Sequence, residues 1–246
     1  MRIEGAVALV TGANRGLGKA YVEALIAAGA AKVYAACRDP SPIADARITS
    51  LRLDVTSPAD VAAAARACPD VTLLVNNAGI MLGSPMLAAG SDDALRRELE
   101  VNVFGVLAMA GAFAPILAGN GGGAIVTMLS VASWFVNPFN ATYCASKHAA
   151  LAVTNALRIQ LKAQGTRVVG VYAGFIDTDM AARVDGPKTS PRQVAERTLD
   201  GLRAGEDHVL ADQSAHDIRH AVLTDPASFE AEMQKMWAGG ATPWSL

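Results

Sequence analysis

The chain has no run of Lys or Arg. Its 21 basic and 23 acidic side chains leave a formal charge of −2, so it carries no electrostatic footprint for nucleic acid. Cysteine is scarce. Cys37, Cys68 and Cys144 are widely spaced and odd in number, which excludes a disulfide framework and predicts buried or free thiols in a reducing compartment. No long hydrophobic run opens the sequence. Met1-Arg2-Ile3-Glu4-Gly5 leads into an apolar stretch too short for a signal peptide or a membrane span, so a cytoplasmic location with no membrane partner is expected. Repeats, linkers and low-complexity segments are missing too. What is present is 246 residues, 52% of them hydrophobic. That is enough to bury a sizeable core and excludes a disordered chain. A single domain over 1–246 is expected, with 213–246 as a C-terminal helical tail.

Short apolar runs alternate with helical patterns along the whole length. Ala6–Thr11, Lys32–Cys37, Ile48–Leu53, Val71–Asn76, Ala124–Leu129, Arg167–Tyr172 and His208–Ala211 read as strands. Gly16–Gly29 reads as a helix ended by its glycine. Ser57-Pro58 and Ser190-Pro191 open two more, with Ser as the cap and Pro in the first turn. Ser91 to about Ala118 predicts one long helix bent at Pro115, and Ala141 to Ala163 another. This alternation predicts an α/β fold: a Rossmann-type, doubly wound three-layer sandwich with a mostly parallel sheet of about seven strands. In such sheets ligands bind beyond the carboxyl ends of the strands, which is where the motifs fall.

Tyr143 and Lys147 stand four residues apart on one helix face. An ammonium beside a phenol favours the phenolate, so Lys147 is expected to lower the Tyr143 pKa and make it a proton donor and acceptor near neutral pH. Alone, such a pair is more often a helix-surface neighbour. Ser130, thirteen residues upstream of Tyr143, can bind the oxygen whose protonation changes; Ser133 is expected to serve the pocket or loop. Thr11-Gly12-Ala13-Asn14-Arg15-Gly16-Leu17-Gly18 joins the first strand to the first helix. Gly12 suits a tight turn, Gly16 close backbone approach and Gly18 helix–strand packing, with the helix N-terminus turned toward a pyrophosphate. The second strand ends Ala36-Cys37-Arg38. Arg38 there, helped by Arg15, suits a 2′-phosphate better than a 2′-hydroxyl, so NADP(H) is expected over NAD(H), with NAD(H) possible; a solvated Arg38 paired with Asp39 is the plainer reading. Met81, Trp134, Phe139 and Phe175 are expected to form an apolar substrate wall, with loop packing as the alternative. His216 and His220 lack a third partner at suitable spacing, so no metal is expected.

Together these motifs resemble the short-chain dehydrogenase/reductase family in its compact form of about 250 residues, closest to carbonyl-reductase-like, NADP-preferring members. The similarity runs through Leu53-Asp54-Val55, Asn76-Asn77-Ala78-Gly79, Asn102 in Glu100–Gly105, Ser130, the Tyr143/Lys147 pair and Gly174–Thr178, over nearly the whole chain. The resemblance implies reversible hydride transfer between nicotinamide and a carbonyl or secondary alcohol. Tyr143 would be the general acid/base, Ser130 the holder of the carbonyl oxygen and Asn102 part of a proton relay through Lys147. Lys147 would also hold the nicotinamide ribose. Asp54 and Val55 would meet the adenine. Asn76, Ala78 and Gly79 would line the cofactor, and Ile176 and Thr178 would reach its nicotinamide and diphosphate. Two departures stand out. Ala173 replaces the family's usual Pro, which predicts a looser turn, and the glycine-rich ending is absent. A small-molecule carbonyl or alcohol partner is implied, along with a homo-oligomer, a dimer being favoured over a tetramer. The competing function classes are a non-catalytic NADP-binding redox sensor, and a lyase that reuses Ser and Tyr without nicotinamide.

Overall fold

The computed structural model describes residues 1–41 and 43–240. The last six residues of the expected tail fall outside the described residues. Seven strands form one sheet: β1 Val7–Thr11, β2 Lys32–Cys37, β3 Ile48–Arg52, β4 Leu73–Asn76, β5 Ala124–Met128, β6 Arg167–Tyr172 and β7 His208–Leu210. The order is β3-β2-β1-β4-β5-β6-β7, and every pairing is parallel. The chain therefore winds outward in one direction from β1, then crosses over and winds in the other from β4. The switch lies between these two strands, whose carboxyl ends open the crevice for a ligand.

The helices are α1 Gly16–Ala27, α2 Pro58–Ala67, α3 Ser91–Leu99, α4 Gly105–Gly119, α5 Ala141–Gln160, α6 Pro191–Ala204, α7 Gln213–Thr224 and α8 Pro226–Ala238. Tyr21 and Leu25 of α1 and Val194 and Leu202 of α6 pack on Val10, Val75 and Val126 on one face. On the other face, Val61 of α2, Met109, Phe113 and Leu117 of α4 and Leu157 of α5 cover Leu9, Leu74 and Ile125. Alternate strand residues thus serve opposite cores, as a sheet buried on both sides requires. Side-chain caps set the helix starts. Ser57 accepts from the Asp60 amide at 3.2 Å and Ser190 from the Gln193 amide at 3.2 Å, each contributing about 1 kcal/mol. Asp212 and Asp225 do the same for α7 and α8, so the expected tail is two helices broken at Asp225-Pro226.

The expected single helix from Ser91 is interrupted, though not at Pro115. Glu100–Phe104 winds as a π-helix between α3 and α4. Pro115 sits within α4 on its exposed side, where the Gly111 carbonyl that loses its donor faces solvent. By length and composition the run Ser91–Gly119 could cross a membrane, its most apolar 18-residue window having a mean hydropathy of 2.0. In this fold one side of it is core: Met109, Phe113 and Leu117 have no exposed surface.

Candidate active site

The glycine loop leaves β1 with Gly12 at φ 67° and Gly16 at φ 51°, left-handed backbone that glycine adopts without strain. Gly18 is needed for space instead, since a Cβ there would stand 2.1 Å from the Gly12 carbonyl oxygen. The loop is fastened to β4 through Thr11. Its hydroxyl donates to the Val75 carbonyl at 3.3 Å and accepts from the Asn77 and Ala78 amides, each at 3.0 Å. Asn77 returns the tie, donating through Nδ2 to the Thr11 carbonyl at 2.9 Å. Across the crevice, the Thr178 methyl lies 3.1 Å from where a Gly16 Cβ would be, and Arg15 pairs with Asp179 at 2.9 Å. The segment after β6 therefore closes on the phosphate loop, and part of the Arg15 charge is already answered. Both members of that pair are well exposed, and such pairs contribute little stability.

Arg38 is exposed at the end of β2, and the alternative pairing with Asp39 is not among the ion pairs of the described residues. Beside it is a cavity of about 430 Å³ lined in part by Ala13, Asn14, Cys37, Ser41 and Ser50. Asp54 accepts from the Thr56 amide at 2.9 Å and hydroxyl at 2.8 Å; these bonds, more than the Arg38 and Arg52 charges, hold its carboxyl below the usual range. Val55 packs on Gly105, where a Cβ would be 2.8 Å from Cγ2. Asn76 is buried, and neither carboxamide atom has a hydrogen-bond partner among the described residues. Leu17 is core, packed between α1 and the sheet. A second cavity, about 460 Å³, lies between α2 and α4 and has no residue of the Ser130–Lys147 segment in its lining.

On the other side of the switch, Ser130 caps a short 3-10 turn over Val131–Ser133, accepting from the Ala132 amide at 3.1 Å while Ser133 accepts from the Ser130 amide at 3.4 Å. Ser133 is thus the brace of Ser130. The Ser130 hydroxyl acts on the Tyr143 phenol, drawing its pKa down. Lys147 is buried and donates from Nζ to the Met128 carbonyl at 2.9 Å, with Nζ 5.6 Å from the centre of the Tyr143 ring. This arrangement corrects the expected pKa order. Burial raises the Tyr143 pKa, opposed by the Ser130 hydrogen bond and reinforced by Cys144 and Glu98. Burial also brings the Lys147 ammonium down to about 8. The ammonium is turned to a carbonyl, and desolvation is the leading cause of both shifts.

Asn102 lies in the π-turn. It accepts from the Ile80 amide at 2.9 Å, donates to the Ile80 carbonyl at 2.9 Å and donates to the Ser146 hydroxyl at 3.0 Å. Its carboxamide is therefore fully committed to fixing the segment after β4 onto α5. A Cβ at Gly79 would come 3.1 Å from Asn102 Oδ1 and 3.9 Å from Lys147 Nζ, so the segment after β4 meets the π-turn and α5 at this glycine.

The expected apolar wall is largely packing. Trp134 stacks on Tyr172 at 4.3 Å between centroids, with Arg219 at 5.9 Å over its ring; it belongs to the core under α7. Phe139 packs on Trp237 of α8 at 5.0 Å, and Phe135 on Phe229 at 5.1 Å. Met81 and Phe175 remain half-buried. Nor is the turn at Ala173 loose. The Ala173 carbonyl accepts from the Val131 amide at 3.0 Å, and the Gly174 amide donates to Asp212 Oδ2 at 2.9 Å. That carboxylate also accepts from the Thr189 hydroxyl at 3.1 Å. Asp212 thereby pins both ends of the loop that carries Ile176 and Thr178. Residue spacing gave no sign of it beyond an Asp preceding a helix. No group of three metal-binding side chains occurs among the described residues.

Comparison with known proteins places this geometry. A family model described as short chain dehydrogenase matches residues 6–188. The 3-oxoacyl-[acyl-carrier-protein] reductase FabG of Salmonella typhimurium is 33% identical over 189 residues, 73% of this chain and 77% of that protein. The galactitol 2-dehydrogenase of Cereibacter sphaeroides is 33% identical over 195 residues, 74% of this chain and 76% of its own. A crystal structure of a short chain dehydrogenase from Burkholderia cenocepacia in complex with NADP superposes with a TM-score of 0.90 at 41% identity, covering 95% of this chain and 99% of that one. A Burkholderia phymatum structure in complex with NAD gives 0.79 at 25% identity, covering 91% and 95%.

The closeness of the loop at Gly18 has a measurable consequence. Gly18→Ala is expected to lose about 1–3 kcal/mol of stability in urea unfolding through overpacking. Gly111→Ala, a helical glycine with nothing within 4 Å of its would-be Cβ, is expected to gain up to about 1 kcal/mol. Equal effects at the two positions would contradict the packing assigned to Gly18.

Proposed function

The chain belongs to the short-chain dehydrogenase family, oxidoreductases acting on CH–OH groups, and from that premise we propose that it is an NADP(H)-dependent reductase of hydrophobic or aryl ketones. The observation that carries the reading is the Ser130–Tyr143–Lys147 cluster at the carboxyl ends of β5 and β6, across the switch from an intact glycine loop.

The residues present suit a dinucleotide. Gly12 and Gly18 let the loop pack closely on Asn77 and Ala78, and Gly16 admits Thr178 beside the α1 N-terminus, a favourable site for a pyrophosphate. Ala78, Gly79, Ile176 and Thr178 would line the nicotinamide half, and Asp54 and Val55 the adenine end. Arg38, exposed beside the cavity at Cys37, supports a 2′-phosphate partner better than Arg15, whose charge Asp179 shares. The Burkholderia cenocepacia neighbour holds NADP and the Burkholderia phymatum neighbour NAD. When bound, the nicotinamide supplies or accepts the hydride.

The protein's part is orientation and proton handling. Ser130 and Tyr143 both offer hydroxyls to one oxygen, so a carbonyl bound there is polarised by two donors. Tyr143, held protonated by its surroundings, gives its proton to that oxygen during reduction. Lys147, charged below about pH 8, steadies the phenolate left behind. Asn102 fixes the segment after β4 onto α5 and so keeps the relay side closed. Met81 and Phe175, both half-buried, support an apolar substrate end. The exposed apolar side chains Phe104 and Leu107 on the π-turn and α4, and Ile159 on α5, support a dimer through these helices. Three free, buried cysteines support a reducing, cytoplasmic location.

Three measurements test this. A ketone panel followed by NADPH absorbance should give kcat/KM at least about tenfold above NADH, with the gap closing in Arg38→Ala; a clear NADH preference, or turnover of small polar substrates alone, would overturn the respective assignment. Tyr143→Phe should keep NADPH affinity by fluorescence titration and lose about 10³-fold in kcat; normal turnover in that variant removes Tyr143 from the chemistry. Light scattering at micromolar concentration should return the mass of a dimer, and a monomer would refute the apolar-face argument.

A further inference from the structure

The segment Met81–Ser84, which follows the cofactor motif, is tied down at three points. The Ile80 main chain is held by Asn102. Ser84 exchanges bonds with Thr142 in the first turn of α5: its amide donates to the Thr142 hydroxyl at 3.3 Å, and its carbonyl accepts from the Thr142 amide at 3.2 Å. Between them stands Glu98 of α3. It has no exposed surface, and its Oε1 accepts from the Leu82 amide at 2.8 Å and the Gly83 amide at 3.3 Å. Its Oε2 is buried without a hydrogen-bond partner among the described residues, as is Oδ1 of Asn140. That Asn140 oxygen lies 3.3 Å from where a Gly83 Cβ would be, and the same side chain donates to the Met81 sulfur at 3.3 Å. Two idle buried acceptors thus flank one glycine, three residues of sequence before Tyr143 at their nearer end.

An idle buried acceptor is unfavourable, and a carboxyl more so than an amide. A glutamine could accept the same two amide bonds. What a glutamate adds is charge, and that charge pushes both the Tyr143 phenol and the Cys144 thiol upward. We propose that Glu98 is a positioning residue for the reaction: it fixes the Met81–Ser84 loop against Tyr143 and places a negative charge beside that phenol. This rests on the reading of Tyr143 as the acid/base. The groups that act on the phenol are Lys147 and Cys144 on its own helix, Glu98 from α3 and Ser130 from the turn after β5. After burial, and against the Ser130 hydrogen bond, Cys144 and Glu98 both push the phenol pKa upward. The sign follows. With the Glu98 charge present the phenol keeps its proton to higher pH, which favours proton donation to a carbonyl. Without it the phenolate forms at lower pH, which favours alcohol oxidation.

Glu98→Gln and Glu98→Met separate the two roles. Glu98→Gln keeps an acceptor for both amides and removes the charge. Its amide hydrogen exchange at Leu82 and Gly83 should match the wild type, and the pH limb of kcat that reports Tyr143 should move to lower pH by about half a unit to one unit. Glu98→Met keeps the volume and removes the acceptor. Exchange at Leu82 and Gly83 should speed up about tenfold or more, and KM for the ketone should rise about tenfold with kcat less affected. Wild-type exchange and KM in Glu98→Met would overturn the positioning role. An unmoved or upward-moving limb in Glu98→Gln would overturn the role of the charge. Should Glu98→Met not fold, Glu98→Asp retracts the carboxyl by one methylene and reads the same two amides, with the same outcomes. If the wild type turns over no ketone, the acid/base reading fails by itself, and the exchange measurement still decides whether Glu98 holds the loop.

Discussion

Everything in the crevice depends on how the carboxyl ends of β1 and β4 are joined. Two parallel strands at a switch point have their next segments running apart, so nothing in the ladder itself sets the distance between the glycine loop and the segment after β4. The Thr11 hydroxyl does. It donates to Val75 and accepts from Asn77 and Ala78, and Asn77 closes the tie onto the Thr11 carbonyl. One hydroxyl with its full bonding capacity used converts two loops into one rigid surface. Two residues on from Asn77, Gly79 meets Asn102 and Lys147. The pyrophosphate cradle and the proton-handling groups are thereby referenced to the same short stretch of backbone.

The larger architecture was legible in the residues because its signals are local. Apolar runs of strand length, glycine ends and Ser-Pro openings each state their own conformation, and their alternation leaves little choice but a doubly wound sheet. The glycine loop was legible for the same reason: its backbone needs are met by the residue types themselves. What did not show was whatever depends on residues distant in sequence. The π-turn at Glu100–Phe104 has no compositional mark; it coincides with Asn102 turning inward to take both main-chain groups of Ile80. Trp134 beside an active-site turn could equally have faced a substrate or a neighbour, and Tyr172 and Arg219 decide for packing. The Ala173 turn is firm because of Asp212, thirty-eight residues from Gly174. The direction of the Tyr143 shift was misread because i,i+4 spacing gives proximity but says nothing about burial or about where the ammonium points.

The tail supplies much of what packs around the catalytic turn. Trp134 lies under α7, and Phe135 and Phe139 meet Phe229 and Trp237 of α8. The family model ends at residue 188, so these contacts belong to the part of the chain that the shared pattern does not describe. The segment matched by the family model is here braced by helices that lie beyond it. That division is physically reasonable: the cluster needs fixed chemistry, whereas the surround needs only to exclude water and complement a particular substrate.

The proton balance of the site follows from that exclusion of water. Burial alone drives a phenol toward its protonated form and an ammonium toward its neutral form, and here both shifts have those signs. Burial is the first cause of each shift, with the Lys147 ammonium bonded to the Met128 carbonyl. Glu98 adds to the same side for Tyr143, and only the Ser130 hydroxyl opposes it. The chain by itself therefore holds a proton on Tyr143 and does not rest as a phenolate. Under the proposed reading, Tyr143 so held would give a proton to an oxygen brought against it and Ser130. It takes one back only when further positive charge or a strong donor offsets the burial.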